Sequence, residues 1–160
     1  MKITSLTILF QICSLFLSAQ NRETATMKKA DSLFVSAAYA KSAKTYQQVA
    51  DIAQSKGDWD DYLSAIGRKI EAQWRLGKYE IASNRAHQML KEALDLPVEK
   101  SLHIGRANLH LGVICLLHGD YSKSEEYFAN TLIAYKAHYG PQHPDIINVY
   151  YNLCTIKKQL

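Results

Sequence analysis

Apolar residues after residue 22 recur at steps of three and four, the spacing of a helix that buries one face. In the clearest stretch, one side of a helix would carry Tyr121, Ser124, Phe128, Leu132 and Tyr135. The pattern predicts alternating helices of two types. The first type covers 23–36, 58–76, 97–118 and a final 144–160, and the second type covers 39–56, 79–94 and 121–138.

The breaks between these helices carry residues that suit helix ends. We expect Gly57 in the left-handed conformation that closes a helix, and Asp58 with Asp61 resembles a capping box at the next helix start. We expect Pro97 and Pro144 each in a first helical turn, where proline is tolerated.

The composition favours long helices with short connections. The chain has 7 Gly and 3 Pro in 160 residues, too few for the turns of an all-β fold. The length suits one domain, predicted over 23–160. The net charge of +4 is spread along the chain without a dense Lys/Arg stripe, so we expect no nucleic-acid partner.

The first twenty residues have a different character. Lys2 precedes an apolar stretch over 3–17, which ends in small and polar residues at 18–20. This layout predicts a secretory signal peptide over 1–20, with the mature protein in the periplasm or outside the cell and no membrane association beyond the cleaved signal. An uncleaved anchor is the alternative, although the stretch is shorter than the roughly 20 apolar residues of a membrane span.

The helical pattern repeats along the chain. The Gly-Lys-Tyr of 77–79 recurs 42 residues later as the Gly-Asp-Tyr of 119–121, and Ala82 then matches Ser124. A weaker copy begins 40 residues before Tyr79, at Tyr39. Large residues at repeated positions are expected in the core: Tyr46, Tyr79, Tyr121 and Phe128.

Small residues at Gly112, Ser124 and Ala82, with an aromatic two positions after each turn glycine, resemble the tetratricopeptide pattern. The 42-residue spacing is similar to the longer repeats of the kinesin-light-chain type. The resemblance implies an all-α fold, a right-handed α-solenoid of about three helix-turn-helix repeats plus one C-terminal capping helix. It also implies that the first helices line a concave groove that holds a peptide or protein segment. Lys69 and Ile70 depart from the pattern in the second copy.

Helical phase indicates which side chains would line that groove. The partner-binding residues predicted in this way are Arg68, Glu71, Trp74, Arg75, Arg106, His110, Asn148, Tyr151 and Asn152. The same phase adds Met27, Asp31, Phe34, Ser64, Leu109, Val113 and Thr155. Two alternatives stay open: Trp74 packs between neighbouring helices instead, and the arginines are solvated or paired with Glu71. Asn152 matches a backbone-contacting asparagine of the similar repeats, whereas His110 interrupts that series.

Catalytic motifs are absent from the sequence: it has no Gly-rich phosphate loop, HExxH, CxxC or GxSxG. We therefore expect no enzyme activity and no cofactor. His103 and His110 lie two helical turns apart, but no histidine shows the close pairing with a carboxylate or thiol that zinc sites have. Scattered surface or groove histidines are the preferred interpretation, and no metal site is predicted. His143 before Pro144 is expected to order its loop.

Two cysteines follow the predicted signal, Cys115 and Cys154. An oxidising compartment permits a disulfide between them. Neighbouring helix axes are usually 8–10 Å apart, whereas bonded cysteines need Cα atoms within roughly 7 Å. Buried free thiols are therefore the preferred prediction.

The last predicted helix has no second-type partner, which leaves the face of Tyr150, Leu153 and Cys154 without its usual cover. A solubilising cap is the first explanation; the others are that the chain continues into a longer protein, or that a second copy or partner supplies the helix. The leading hypothesis is an exported, non-catalytic protein-interaction scaffold. The alternative is a sensory or regulatory repeat arm of a larger signalling or protease-associated protein.

Overall fold

The computed structural model describes residues 23–159, and within them the chain is all helical, without strands. The predicted signal peptide at 1–20 lies outside the described residues. Seven helices follow one another: α1 (23–35), α2 (Tyr39–Lys56), α3 (Trp59–Arg75), α4 (Tyr79–Asp95), α5 (Lys100–Leu117), α6 (Tyr121–Tyr139) and α7 (Pro144–Lys157). Successive helices pack against each other, and α3 also packs against α5. The predicted all-α solenoid is confirmed.

The turn inside each helix pair has a left-handed residue at the same repeat position. Gly77 and Gly119 have φ of 74° and 76°, and in the first copy Ala37 adopts φ of 58° at the equivalent point. Glycine takes this conformation without steric cost, whereas alanine does not. The first turn therefore keeps the repeat's geometry with a residue that is unfavourable there.

Most predicted helix ends lie within two residues of the observed ones, but α5 begins later than expected. Gly57 does close α2 with φ of 73°, and the Asp58 side chain accepts a hydrogen bond from the Asp61 N–H at 3.2 Å. Pro144 does open α7. The placement of Pro97 in a first helical turn was wrong. The Glu99 carboxylate caps α5 instead, accepting from the two backbone N–H groups of residues 101 and 102.

Small residues let α5 and α6 approach closely. A Cβ on Gly112 would lie 2.9 Å from the Phe128 ring, and one on Gly105 would overlap the Tyr135 ring. Ser124 lies within this contact and is fully buried. Gly105 and Gly112 are therefore the places where an aromatic ring of α6 meets the backbone of α5.

The core is divided into two clusters that share α5. One joins α2, α3, α4 and α5 around residues such as Leu63, Ile66 and Leu111. The other joins α6 and α7 around Phe128 and Ile146, with Leu109, Val113 and Leu116 of α5 packed against it. Of the four aromatics expected in the core, Tyr46 and Phe128 are fully buried, while Tyr79 and Tyr121 are only half-buried.

The outer face of α7 is exposed, as its lack of a second-type partner predicts. Tyr150 is 45% exposed and Ile147 is 66% exposed, whereas Leu153 packs into the second core cluster. Cys115 and Cys154 are free thiols, but Cys115 is half-buried and Cys154 is exposed, so the expectation of buried thiols was wrong for Cys154. Its position on α7 corresponds to Gly112 on α5, where α6 provides the cover. Among residues 23–159, no helix is both long and apolar enough to cross a membrane.

Candidate functional site

An open cavity of about 580 Å³ lies where the first-type helices face the same side of the solenoid. It is lined by Met27 and Asp31 of α1, Ser64, Gly67, Arg68 and Glu71 of α3, Arg106, Leu109 and His110 of α5, Tyr135 of α6, and Asp145 and Asn148 of α7. Within α3 and α5 these residues are spaced by three and four, so one helix face supplies them. All four first-type helices therefore contribute to one continuous wall.

His110 is a buried part of this wall. It is 7% exposed, and its ring is hydrogen-bonded to the backbone of Gly67. Burial, together with the positive charges of Arg106 and Arg68, lowers the pKa of His110 to about 4 from an ordinary value of 6.5. The imidazole is therefore neutral at neutral pH.

The arginines of the wall differ in their partners. Arg106 donates a hydrogen bond from Nη1 to the Ser64 hydroxyl at 3.0 Å, which joins α5 to α3. Arg75 holds Glu71 through Nε at 3.2 Å and Nη2 at 3.1 Å, whereas Arg68 lies 3.8 Å from the same carboxylate. The predicted pairing with Glu71 is thus strong for Arg75 and weak for Arg68.

At the α1 end, the wall carries a hydrogen-bonded carboxylate. The Tyr46 hydroxyl donates to Asp31 at 2.6 Å. Burial and the neighbouring carboxylate raise the pKa of Tyr46 well above its ordinary value, so the phenol stays protonated. This bond fixes Asp31 against α2.

Trp74 and Arg75 were predicted to line the groove but belong to an aromatic cluster beside it. Trp74 is half-buried and packs against the first core cluster. The Arg75 guanidinium lies 4.8 Å from the Trp74 ring, 5.3 Å from Phe34 and 5.8 Å from Tyr39. This packing agrees with the alternative in which Trp74 packs between helices, and a contact of Trp74 with a partner stays a prediction. The cluster joins the end of α3 to the α1–α2 turn.

At the α7 end, the predicted residues are only partly brought together. Asn148 lines the cavity and is exposed. Tyr151, one turn further along α7, is 74% exposed, and Asn152 is half-buried, but neither borders the cavity. Val113 packs into the second core cluster instead.

Sequence reasoning missed three lining residues: Gly67, Tyr135 and Asp145. Tyr135 comes from a second-type helix and reaches the cavity because Gly105 leaves space for its ring. A glycine in the middle of a predicted helix was the available signal, since such a residue often marks a close approach.

Three histidines outside the wall lie near carboxylates: His103, His138 and His143, the last 3.7 Å from Asp145. The expectation of surface or groove histidines was wrong for His103. His103 is fully buried, and its Nε2 lies 3.0 Å from Asp60. Burial lowers its pKa, although the Asp60 hydrogen bond acts in the opposite direction. His138 Nδ1 lies 2.7 Å from Glu99. The pairs of His103 and His138 join helices distant in sequence, and residues 23–159 contain no group of three metal-binding side chains.

A second opening, of about 790 Å³, lies beside the α2–α3 turn. Its lining combines Asp58, Asp60 and Asp61 with Lys56 and Pro97. The Lys56 ammonium pairs with Glu23, and Asp58 caps α3, so these charges already have roles in the fold. We therefore take the cavity on the first-type helices as the candidate site.

Comparison of this chain with protein-family models and with curated proteins finds no match.

Proposed function

We propose that this chain is a protein-interaction module that holds an extended peptide or protein segment in the cavity of the first-type helices, without catalysis. In this proposal the repeats are of the tetratricopeptide type, and the protein acts after export as a periplasmic or secreted scaffold. The observation that carries the proposal is the continuous wall to which α1, α3, α5 and α7 all contribute. A wall built from repeated helices presents side chains at regular intervals, which suits an extended partner.

The chemistry of the wall supports a polypeptide partner. Leu109 and Met27 offer apolar contact, Ser64 and Asn148 offer hydrogen bonds, and both charge signs are present. Pockets for specific ligands combine apolar surface with a few placed polar groups in this way. A nucleic-acid backbone would instead require a dense stripe of positive charge.

The binding test uses a random peptide library displayed on phage and selected on the purified chain. Selected peptides are then measured against a double variant, Arg68→Ala with Asn148→Ala, in which both replaced side chains are exposed in the cavity. The matched control is Lys91→Ala with Asn130→Ala, which alters two exposed residues on the second-type helices. Loss of about tenfold in affinity in the groove variant alone is the expected result.

Two outcomes would overturn the proposal. One is a selection that enriches no peptide, and the other is an equal loss of affinity in both variants. The proposed export is tested separately by expressing the full chain and determining the mass of the product in the periplasmic fraction. A product that begins near residue 20 supports cleavage, and an intact product found only in the cytoplasm rejects export.

A second candidate is a sensory or regulatory arm of a larger protein. The exposed face of α7, with Ile147 and Tyr150, favours it, because this surface is available for a further helix, a second copy or a partner. Light scattering of the purified chain tests self-association through this face. A dimer that becomes monomeric in Ile147→Glu would support association, and a monomeric wild-type chain would reject it.

A further inference from the structure

The three turns inside the helix pairs lie side by side along one edge of the solenoid. The Arg75 guanidinium, at the end of α3, lies 5.3 Å from the Phe34 ring and 5.8 Å from the Tyr39 ring, so it joins the second turn to the first. The Tyr79 and His118 rings, 5.1 Å apart, join the second turn to the third. Because a short loop folds α7 back on α6, the end of α7 reaches the same edge. With the adjoining helical turns, this edge comprises 32–42, 72–82, 114–124 and 154–159, and we call it the turn edge.

Charge is distributed unequally between the two edges of the solenoid. Among the described residues, the turn edge has six basic side chains against two acidic ones, Glu80 and Asp120. The opposite edge has three basic and eight acidic side chains, and it comprises 23–26, 53–62, 92–103 and 136–147. The turn edge is therefore the positive side of the molecule.

Most of the positive charge on the turn edge is not neutralised by the fold. Arg75 holds Glu71, and Lys123 pairs with Asp120 at 2.9 Å. The other four basic side chains are exposed and take part in none of the ion pairs formed within residues 23–159: Lys41, Lys78, Lys157 and Lys158.

The turn edge also carries exposed aliphatic side chains. Val35 is 86% exposed, Ile81 54%, Leu117 52% and Leu76 38%. Val35, Leu76 and Leu117 belong to three successive turns, so they form a row of separate apolar tips instead of one continuous patch. A protein interface usually buries a contiguous apolar patch, whereas a bilayer interface accepts separate tips that stand among basic residues.

We propose that the turn edge docks on the surface of an anionic lipid bilayer, with its lysines at the headgroups and its aliphatic tips in the interface. Electrostatic attraction to anionic lipids and burial of apolar side chains both strengthen such binding. This peripheral contact goes beyond the sequence-based expectation of no membrane association after the signal. None of the residues that line the cavity belongs to the turn edge, so the proposal does not rest on peptide binding.

Co-sedimentation with lipid vesicles measures the docking. The purified chain is mixed with vesicles of phosphatidylcholine alone or with vesicles of phosphatidylcholine and phosphatidylglycerol in equal amounts. We expect tighter binding to the anionic vesicles, and we expect the difference to shrink as salt is added, because salt screens the charges. Equal affinity for the two kinds of vesicle would overturn the proposal.

Two pairs of matched variants locate the binding surface. Lys78→Gln should weaken binding to anionic vesicles about fivefold, whereas Lys91→Gln, exposed in the middle of α4, should have no effect. Leu117→Ser is matched by Leu94→Ser on the opposite edge, since the two leucines are 52% and 53% exposed, and only Leu117→Ser should weaken binding, by about three- to tenfold. All these proteins carry the same residues 1–22, so any contribution of the predicted signal is common to them. Equal losses within either pair would contradict the turn edge as the docking surface.

A substitution that should strengthen docking keeps the test independent of variants that fold poorly. Val35→Trp places an aromatic ring suited to the bilayer interface at a site that is 86% exposed. It should raise the affinity for anionic vesicles, and its fluorescence should be quenched by brominated lipid more than that of the wild type. Leu94→Trp should show neither effect. Absence of both effects in Val35→Trp would overturn the proposal.

An acidic protein surface, such as the opposite edge of a second copy, is the competing partner for the turn edge. Sedimentation velocity without lipid tests it. Oligomers that dissociate in high salt and in Lys78→Gln, together with no binding to vesicles, would assign the turn edge to a second copy and reject the bilayer. A monomer that binds anionic vesicles supports the proposal.

Discussion

The Ser124 hydroxyl donates a buried hydrogen bond to the backbone carbonyl of Gly112 at 2.8 Å, joining α6 to α5. The same bond occurs in the first helix pair, two pairs earlier: Ser42 donates to the Ala30 carbonyl at 3.0 Å and joins α2 to α1. Both pairs are 12 residues apart, and 82 residues separate the two copies. In the middle copy Ala82 and Ile70 occupy these positions, so apolar packing takes the place of the bond.

Ser124→Ala tests this bond. We expect a loss of about 0.5–1.5 kcal/mol in the free energy of unfolding, because the Gly112 carbonyl keeps its place in the helix but loses its second donor. Urea denaturation measures the change. Ser122→Ala, on the exposed side of the same helix, is the control and should have little effect. Equal effects would mean that the buried bond contributes nothing.

Ala37→Gly is expected to stabilise the protein by about 1 kcal/mol, because Ala37 has φ of 58° where the later copies have glycine. The control makes the same change within α2: Ala40→Gly should destabilise by about 0.5–1 kcal/mol, since glycine is unfavourable in a helix. Thermal denaturation compares the two. A decrease in the melting temperature of Ala37→Gly would contradict the strained turn.

Two glycines on the first-type helices should respond in opposite ways to alanine. At Gly105 a Cβ would overlap the buried Tyr135 ring and lie 3.3 Å from the Ala134 Cβ, so we expect a loss of about 1–3 kcal/mol. At Gly67 the nearest atom would be the Met89 Cε at 3.5 Å, an ordinary contact. Gly67→Ala should therefore be neutral or stabilising by up to about 1 kcal/mol. The denaturant concentration at the midpoint of unfolding measures both changes in stability. A stabilised Gly105→Ala variant would show that the Tyr135 ring moves aside.

His110 should make stability depend on pH below neutrality. Its pKa is about 4 in the folded chain and near 6.5 when unfolded, so the unfolded state binds more protons between these values. Its contribution is fully present above pH 6.5 and is lost as the pH falls towards 4, by at most about 1.4 kcal/mol per pH unit. His110→Gln should reduce the slope between pH 7 and 5, and the buried His103, whose pKa is also lowered, should keep part of it. Parallel slopes in the wild type and His110→Gln would contradict the buried neutral ring.

Trp74 and Tyr151 were both predicted as binding residues, and alanine variants should now separate them. Trp74→Ala is expected to cost about 3 kcal/mol, because the ring packs against the core and under Arg75. Tyr151→Ala should change stability by less than about 0.5 kcal/mol, since the side chain is 74% exposed. It should weaken only those selected peptides that extend past Asn148. Denaturation measures the stability of both variants, and peptide titration measures their binding. An unchanged stability of Trp74→Ala would contradict packing against the core and favour the predicted groove position of Trp74.

The helices could be predicted because their signals are local. Periodicity, turn glycines and caps such as Asp58 act within a few residues, and the bounds of α2 match the prediction at both ends. The start of α5 could not be located in this way. Two residues that can start a helix, Pro97 and Glu99, lie two positions apart. The helix begins after Glu99, because the Glu99 carboxylate caps its first backbone N–H groups.

The cavity residues that could be predicted are those whose direction depends on helical phase alone. Arg68, Glu71, Arg106, His110 and Asn148 do line the cavity. Phase does not reveal how far a wall extends before a neighbouring helix covers it, so it could not show that Trp74 packs against the core beside the cavity. It also gives no information on contacts between helices, so the pairing of His103 with Asp60, 43 residues apart in sequence, was not foreseen.

The sharing of α5 by two core clusters has a consequence for how the molecule opens. Leu111 of α5 belongs to the cluster with α2–α4, while Leu109 and Val113 pack towards α6 and α7. We expect α7, which packs mainly on α6, to open before the rest of the fold, and native-state hydrogen exchange would detect this as weaker amide protection in α7. A ligand that touches both α3 and Asn148 binds only when α7 is docked. At a ligand concentration of 100 Kd, binding would raise the free energy of that opening by about 2.7 kcal/mol. Filling the groove would therefore slow amide exchange in α7, although α7 lines only one end of the groove.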